Sequence, residues 1–177
     1  WVFAGQGALD AQLLTSRVAA LAQSEPGARS ELEQCAAIAQ EMLGGDPSAL
    51  IGGSHEACAA AVAETPGLSQ VAIHLQNGLG ARLMLARGRS PAFVLGHSLG
   101  EIAAFGVAGC FDLPTGVRVV CQRVQAIEEH APKDGGWLAV RASRSTVSTE
   151  AALHNLDQVV IAGRNHERQT VDSGPQT

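Results

Sequence analysis

One corner constrains this chain more than any other stretch. Ser98 sits in Gly96-His97-Ser98-Leu99-Gly100, directly after the apolar run Pro91-Ala92-Phe93-Val94-Leu95 and before the small-residue run Ile102-Ala103-Ala104. A buried strand, a Gly-x-Ser-x-Gly turn and a helix are the parts of a nucleophile elbow. Gly96 and Gly100 let the turn be sharp and let strand and helix pack closely. The turn lifts the serine hydroxyl above the sheet. It also aims the backbone N–H of Leu99 at any carbonyl that Ser98 attacks. The competing reading is a chance pattern in a chain with 20 glycines.

The 177 residues suffice for one sizeable core, or for one large domain with part of a second. A hydrophobic content of 46% is that of a globular chain. The net charge of −5 leaves no basic footprint and argues against a nucleic-acid partner. No apolar stretch reaches membrane-spanning length, because Arg82, Arg87 and Arg89 interrupt the longest candidates. The N-terminus has no basic-then-apolar leader. Cys35, Cys58, Cys110 and Cys121 are scattered, with no Cys-x-x-Cys pair. They read as reduced, mostly buried thiols of a cytoplasmic protein, and no metal site or cofactor is expected. The chain opens on Trp1 inside an apparent strand and closes shortly after another. It therefore reads as a piece of a longer polypeptide or domain.

Residues 1–4 form a short apolar strand that stops at Gly5-Gln6-Gly7. Helical spacing covers 9–23, 28–43, 55–64 and 68–86, with breaks at Glu25-Pro26-Gly27, Gly44-Gly45 and Thr65-Pro66-Gly67. The run Ala49-Leu50-Ile51 is short and apolar. A strand over 91–95 leads into the corner, and the helix after Ser98 runs to Gly109, a C′ glycine. Asp112 caps the next helix, with Pro114 in its first turn, and that helix reaches about His130. Strands at 137–140, 159–161 and 169–173 flank a short helix from Ser145 to Leu153. The division falls as 1–134 and 135–177, the second part being a smaller unit with a β-α-β pattern.

Several polar residues are candidates for the same site. The Gly5-Gln6-Gly7 turn can present a backbone N–H to the oxygen that Leu99 would meet, or it is an ordinary strand-end loop. On the helix from about 114 to 130, Val117, Val120, Cys121, Val124 and Ile127 form the apolar face. Arg123 projects at the border of that face, and Arg118 lies on the polar side. A half-sunk guanidinium needs an anionic partner, either a protein carboxylate or a substrate carboxylate held bidentately. Gln70 on a core helix and Asn165 in a loop are polar candidates for the cleft. His97 adjoins Ser98, so its side chain points away from the serine hydroxyl. The remaining histidines read as surface or loop residues, and none is assigned as the base for Ser98.

These residues resemble the malonyl-CoA:acyl carrier protein transacylases and the acyltransferase domains of polyketide synthases. Val2-Phe3-Ala4-Gly5-Gln6-Gly7 is similar to the family's opening Phe-Pro-Gly-Gln-Gly motif, with Ala4 in the proline position. Gly96-His97-Ser98-Leu99-Gly100-Glu101 matches the nucleophile motif. Arg123 falls where the family keeps an arginine for the extender carboxylate. Gln70 resembles a glutamine of the active-site helix, with Val71 replacing the usual proline. The stretch from Asn165 to Gly174 resembles Asn-x-Pro-x-x-x-Val-x-Ser-Gly of the small subdomain, with Glu167 in the proline position.

The resemblance implies an α/β fold: an α/β-hydrolase-like large subdomain with an incomplete ferredoxin-like small subdomain. It implies ping-pong transfer of a malonyl-type group from malonyl-CoA or a related acyl-CoA, through Ser98, to an acyl carrier protein. Such a reaction belongs to fatty acid or polyketide synthesis, including within a multidomain synthase. Gln6 and Leu99 would hold the oxyanion, and Arg123 the malonyl carboxylate. His97, Gln70 and Asn165 would be further substrate-binding residues. Leu99 is similar to malonyl-selecting members. The family's catalytic histidine would lie past Thr177, so the chain is expected to be catalytically incomplete. The alternatives are a serine esterase or thioesterase, and a non-catalytic acyltransferase-like module.

Overall fold

Amphipathic helices with polar breaks between them build the larger of two units in the computed structural model, which describes residues 1–132 and 134–175. This unit spans Trp1–Ile127, and the smaller one begins at Glu128. Helix α1 (Ala11–Ser24) starts at Asp10, whose carboxylate accepts from the Leu13 N–H, and it buries Leu14, Val18 and Leu21. Helix α2 (Ala28–Leu43) buries Leu32, Cys35 and Ile38 and ends at Gly44. The run Ala49-Leu50-Ile51, given no element from sequence, lies in a short helix α3 (Ser48–Gly52). Helix α4 (His55–Glu64) is capped by Ser54.

Helix α5 (Leu68–Ala86) is the axis of this unit. Leu68, Val71, Ile73, Leu75 and Leu79 are all buried, together with Gln70, His74, Gln76 and Asn77. Their neighbours include Leu14, Leu21, Leu32 and Leu50 in one continuous apolar cluster. Each such leucine contributes roughly 1.5–3 kcal/mol on leaving water. Among the described residues, no helix is long and apolar enough to cross a membrane.

The strands of this unit are shorter than the sequence predicts. Strand β1 is Val2–Phe3 and β2 is Leu95–Gly96, paired in parallel with Val2 opposite Leu95. The expected strand over 91–95 is not buried: Phe93 is 70% and Leu95 55% exposed. An apolar run is buried only where a neighbouring layer covers it, and β2 has β1 as its one paired strand among the described residues. Helix α6 (Gly100–Val107) follows the corner. Its end has Gly109 at φ 90°, with the Cys110 N–H bonded to the Phe105 carbonyl and the Gly109 N–H to that of Gly106. That is the left-handed glycine stop expected from sequence.

Helix α7 (Leu113–His130) is capped by Asp112, which accepts from the Thr115 N–H at 2.9 Å. Val117, Val120, Cys121 and Val124 are buried as predicted. Ile127, expected on the same face, is 40% exposed, because the covering core ends a turn earlier.

In the smaller unit β3 (Gly135–Val140), α8 (Arg144–Leu153), β4 (Val160–His166) and β5 (Gln169–Pro175) form an antiparallel sheet of order β3-β5-β4 with one helix. Ser143 caps α8 by accepting from the Thr146 N–H. Strand β4 is longer than the expected 159–161, so Asn165 lies on a strand and not in a loop. Pairing with β5 carries the ladder on to His166 opposite Gln169. Leu138, Asp172 and Ile161 stand opposite one another across the sheet. Cys35, Cys58 and Cys121 are buried free thiols, and Cys110 is an exposed one.

Candidate active site

The corner after β2 is built from close backbone approaches. Ser98 has φ 52°, a left-handed conformation that L side chains rarely adopt. The Gly100 N–H donates to the His97 carbonyl at 2.9 Å, and the Glu101 N–H to the Ser98 carbonyl at 2.9 Å, which closes the turn. A Cβ on Gly96 would run into the backbone of Gly100 and Glu101. One on Gly100 would run into the Phe3 and Ala4 carbonyls. The two flanking glycines are therefore required, one for the turn and one for helix-to-strand contact. The Leu99 side chain is 2% exposed and anchors the turn in the core, while Ser98 remains exposed. Such strain persists only where the surroundings over-determine it.

The opening turn lies against this corner. A Cβ on Gly5 would fall 2.5 Å from the His97 carbonyl oxygen and 3.3 Å from Ser98 Cβ. Gln6 thus follows a residue in direct contact with Ser98. The backbone N–H groups of Gln6 and Leu99 donate to no acceptor among the described residues. Helix α5 fixes the turn from behind. Asn77 Nδ2 donates to the Ala4 carbonyl at 2.9 Å. Gln76 accepts from the Asp10 N–H at 2.9 Å and donates to the Ala8 carbonyl at 3.1 Å.

The same helix holds Arg123. Its half-buried guanidinium donates to Oε1 of Gln70, which is buried on α5. Among the described residues no carboxylate pairs with Arg123, so its charge faces a neutral amide. Gln70 and Asn77 are two helical turns apart on one face of α5, about 10 Å along the axis. The guanidinium and the opening turn that packs against Ser98 are therefore anchored along a single helix face.

Residues 1–177 match the family model described as acyl transferase domain. The chain belongs to that family. It is 31% identical over 178 residues to the malonyl CoA-acyl carrier protein transacylase of Synechocystis, covering 98% of this chain and 54% of that one. Among solved structures it resembles the malonyl CoA-acyl carrier protein transacylase of Burkholderia pseudomallei, at 30% identity and a TM-score of 0.76, covering 98% of this chain and 55% of that one. It also resembles a malonyl-transacylase solved with its type II polyketide synthase acyl-carrier protein, at 27% identity and a TM-score of 0.72, covering 99% and 54%. The chain thus spans about half the length of these transacylases. The mixed helix-and-strand fold is that of the acyltransferase family.

Of the residues singled out in the sequence, Ser98, His97, Leu99 and the Gln6 turn come together, and Gln70 meets Arg123. Asn165 belongs to the smaller unit, where its Nδ2 donates to Gln169 Oε1 at 3.0 Å. Sequence reasoning missed Gln76 and Asn77, the clamps on the opening turn. It also misplaced His74, which is buried at 2% exposure with neither ring nitrogen hydrogen-bonded. Its ring lies where a Cβ on Gly116 of α7 would be, and burial pushes its pKa down to about 4. The available signal was polar residues 70, 74 and 77 at helical spacing along one predicted helix.

Proposed function

We propose that this chain carries the nucleophile and carboxylate-binding parts of a malonyl-type acyltransferase site. The observation that carries the reading is the left-handed Ser98 corner with the Gly5 turn packed against it. Ser98 Oγ attacks the thioester carbonyl of malonyl-CoA, and the carbonyl oxygen takes the charge beside the Leu99 and Gln6 N–H groups. Collapse breaks the C–S bond. CoA leaves as its thiol with the proton that Ser98 gave up, and a malonyl ester remains on Ser98. The phosphopantetheine thiol of an acyl carrier protein then attacks that ester, and Ser98 recovers a proton.

Arg123 pairs with the free carboxylate of the malonyl group. Its neutral partner supports this role, because a guanidinium held by an amide retains its full charge for a ligand. Gln70 is then a positioning residue for Arg123. His97 and Asn165 remain candidate substrate contacts. The similarity to a malonyl CoA-acyl carrier protein transacylase, and to a malonyl-transacylase solved with its acyl-carrier protein, supports the same substrate pair.

The first step needs a base for the Ser98 proton, and the sequence assigns that role to no histidine within residues 1–177. Acylation by residues 1–177 alone is therefore expected to be slow, by several orders of magnitude relative to a complete site. Intact-mass and peptide-mass measurement after long incubation with malonyl-CoA should show a malonyl adduct on Ser98 and none in Ser98→Ala. Acetyl-CoA should label far less, and Arg123→Ala should reverse that preference. Equal labelling of Ser98→Ala, or equal labelling by the two acyl-CoAs in the unaltered chain, overturns the assignment.

A further inference from the structure

The opening turn cannot aim its own N–H securely. The Ala8 N–H donates to the Gly5 carbonyl at 3.3 Å, and Gly7, third in the turn, has φ 91°, the pattern of a type II turn. The Gly5 carbonyl and the Gln6 N–H belong to one trans peptide, so they point in opposite directions. Whatever holds that carbonyl therefore also aims that N–H. At 3.3 Å the turn's own bond is a long one, and the aim depends on what holds the two ends of the turn.

Two neighbouring residues of α5 hold those ends. Gln76 takes the far end with its whole amide: Oε1 accepts from the Asp10 N–H at 2.9 Å, and Nε2 donates to the Ala8 carbonyl at 3.1 Å. A carbonyl at one residue and an N–H two residues later are what a parallel neighbouring strand would engage, and here one side chain takes both. Asn77 takes the near end at the Ala4 carbonyl. Both side chains are buried, at 6% and 8% exposure. Neither amide is needed to attach α1. Leu14, Val18 and Leu21 share an apolar cluster with Leu68, Leu75 and Leu79, and Arg17 of α1 donates to the backbone carbonyl of Gln76. The Gln76 amide instead ties down the backbone between the turn and the Asp10 cap.

We propose that Gln76 is a positioning residue for acyl transfer at Ser98: its amide keeps the Gly5–Gln6 peptide turned so that the Gln6 N–H stays aimed at the oxyanion. Asn77 secures the same peptide from the other side. This rests on the reading of Ser98 as nucleophile and of Gln6 as an oxyanion donor. Gln76 touches no reacting atom, and its effect passes through Gln6.

Gln76→Met in the full chain keeps the side-chain length and loses both hydrogen bonds. Nitrogen-15 relaxation should give the Gln6 amide an order parameter of about 0.85 in the unaltered chain and below about 0.6 in the variant, with the amides of α1 unmoved. Malonyl-CoA labelled with carbon-13 at the thioester carbonyl supplies a second readout. Hydrogen bonds to an ester carbonyl lower its infrared frequency, so the band of the Ser98 ester should lie higher in Gln76→Met, and the ester should form about tenfold more slowly or worse. A residue that only stabilised the fold would lower the unfolding midpoint and leave that band in place. Should Gln76→Met fail to fold, Asn77→Leu makes the same test from the near end. An unmoved ester band, a Gln6 amide equally ordered in variant and unaltered chain, or one already below about 0.6 in the unaltered chain overturns the proposal alone. Absence of any Ser98 ester in the unaltered chain, with Gln6 still loosened by the variant, overturns the acyl-transfer reading and the proposal with it.

Discussion

Two residues other than glycine have a left-handed backbone among those described, one in each unit: Ser98 at φ 52° and Asn155 at φ 53°. Their dihedrals are nearly equal and their settings are not. Asn155 follows α8, where its N–H meets the Ala152 carbonyl and the Leu156 N–H meets that of Ala151 at 2.9 Å. This is a Schellman stop, and asparagine is among the few side chains that accept it readily. Ser98 ends no helix. It stands between a strand and a helix, and serine has no special tolerance for that conformation. What holds it is the absence of side chains at Gly96 and Gly100 and the Gly5 turn pressed against it. The same dihedral is thus a routine helix ending in one unit and an enforced geometry in the other.

The largest test of that difference removes the space that enforces it. Gly100→Ala puts a methyl group into the Phe3 and Ala4 carbonyls, backbone atoms that cannot yield without parting β1 from α6. We expect a loss of upwards of about 3 kcal/mol in denaturant unfolding. Gly163→Ala on β4, where nothing lies within 4 Å, should change stability by less than about 0.5 kcal/mol. Comparable losses at both positions would show that the corner is no tighter than an ordinary strand.

Acid should also separate the units. His74 is neutral in the folded large unit, with a pKa pushed down from 6.5 to about 4. Its contribution is therefore full above pH 6.5 and falls as pH drops toward 4, since only the unfolded chain takes up the proton in that window. The loss amounts to at most about 3 kcal/mol. Hydrogen exchange should show α5 amides losing protection across that range while those of α8 do not follow it. His74→Leu should remove this component. A profile unchanged by His74→Leu would place the acid sensitivity elsewhere.

Much of this was readable in advance, and the failures have a common cause. The spans of α2, α4 and α5, the Gly109 stop and the Asp112 cap follow from local rules, because helix periodicity and capping depend on neighbours a few residues away. The Ser98 corner was readable for the same reason: its glycines lie two positions to either side. The strand at 91–95 was overextended because its apolar side chains report affinity for cover, not the presence of cover. His74 taken singly carries no mark of its burial; only Gln70, His74 and Asn77 taken together as one helical stripe mark the buried face. Asn77 and Gln76 act on a turn some 70 residues earlier in sequence. Their role depends on a tertiary approach that periodicity does not encode.

The finest discrimination between the two left-handed residues comes from replacing each with glycine. Glycine accepts φ near 50° without steric penalty but gives up more chain entropy on folding, an offset of roughly 0.5–1 kcal/mol. At Ser98 the relieved strain of about 1–2 kcal/mol exceeds that offset, so Ser98→Gly should stabilise by up to about 1 kcal/mol while eliminating the acyl adduct. At Asn155 there is little strain to relieve, and Asn155→Gly should lie within about 0.5 kcal/mol of zero with adduct formation unchanged. The difference between the two measured stabilities is the strain specific to the corner. A stabilisation at Asn155 as large as that at Ser98 would mean that the serine turn stores nothing beyond what any left-handed residue does.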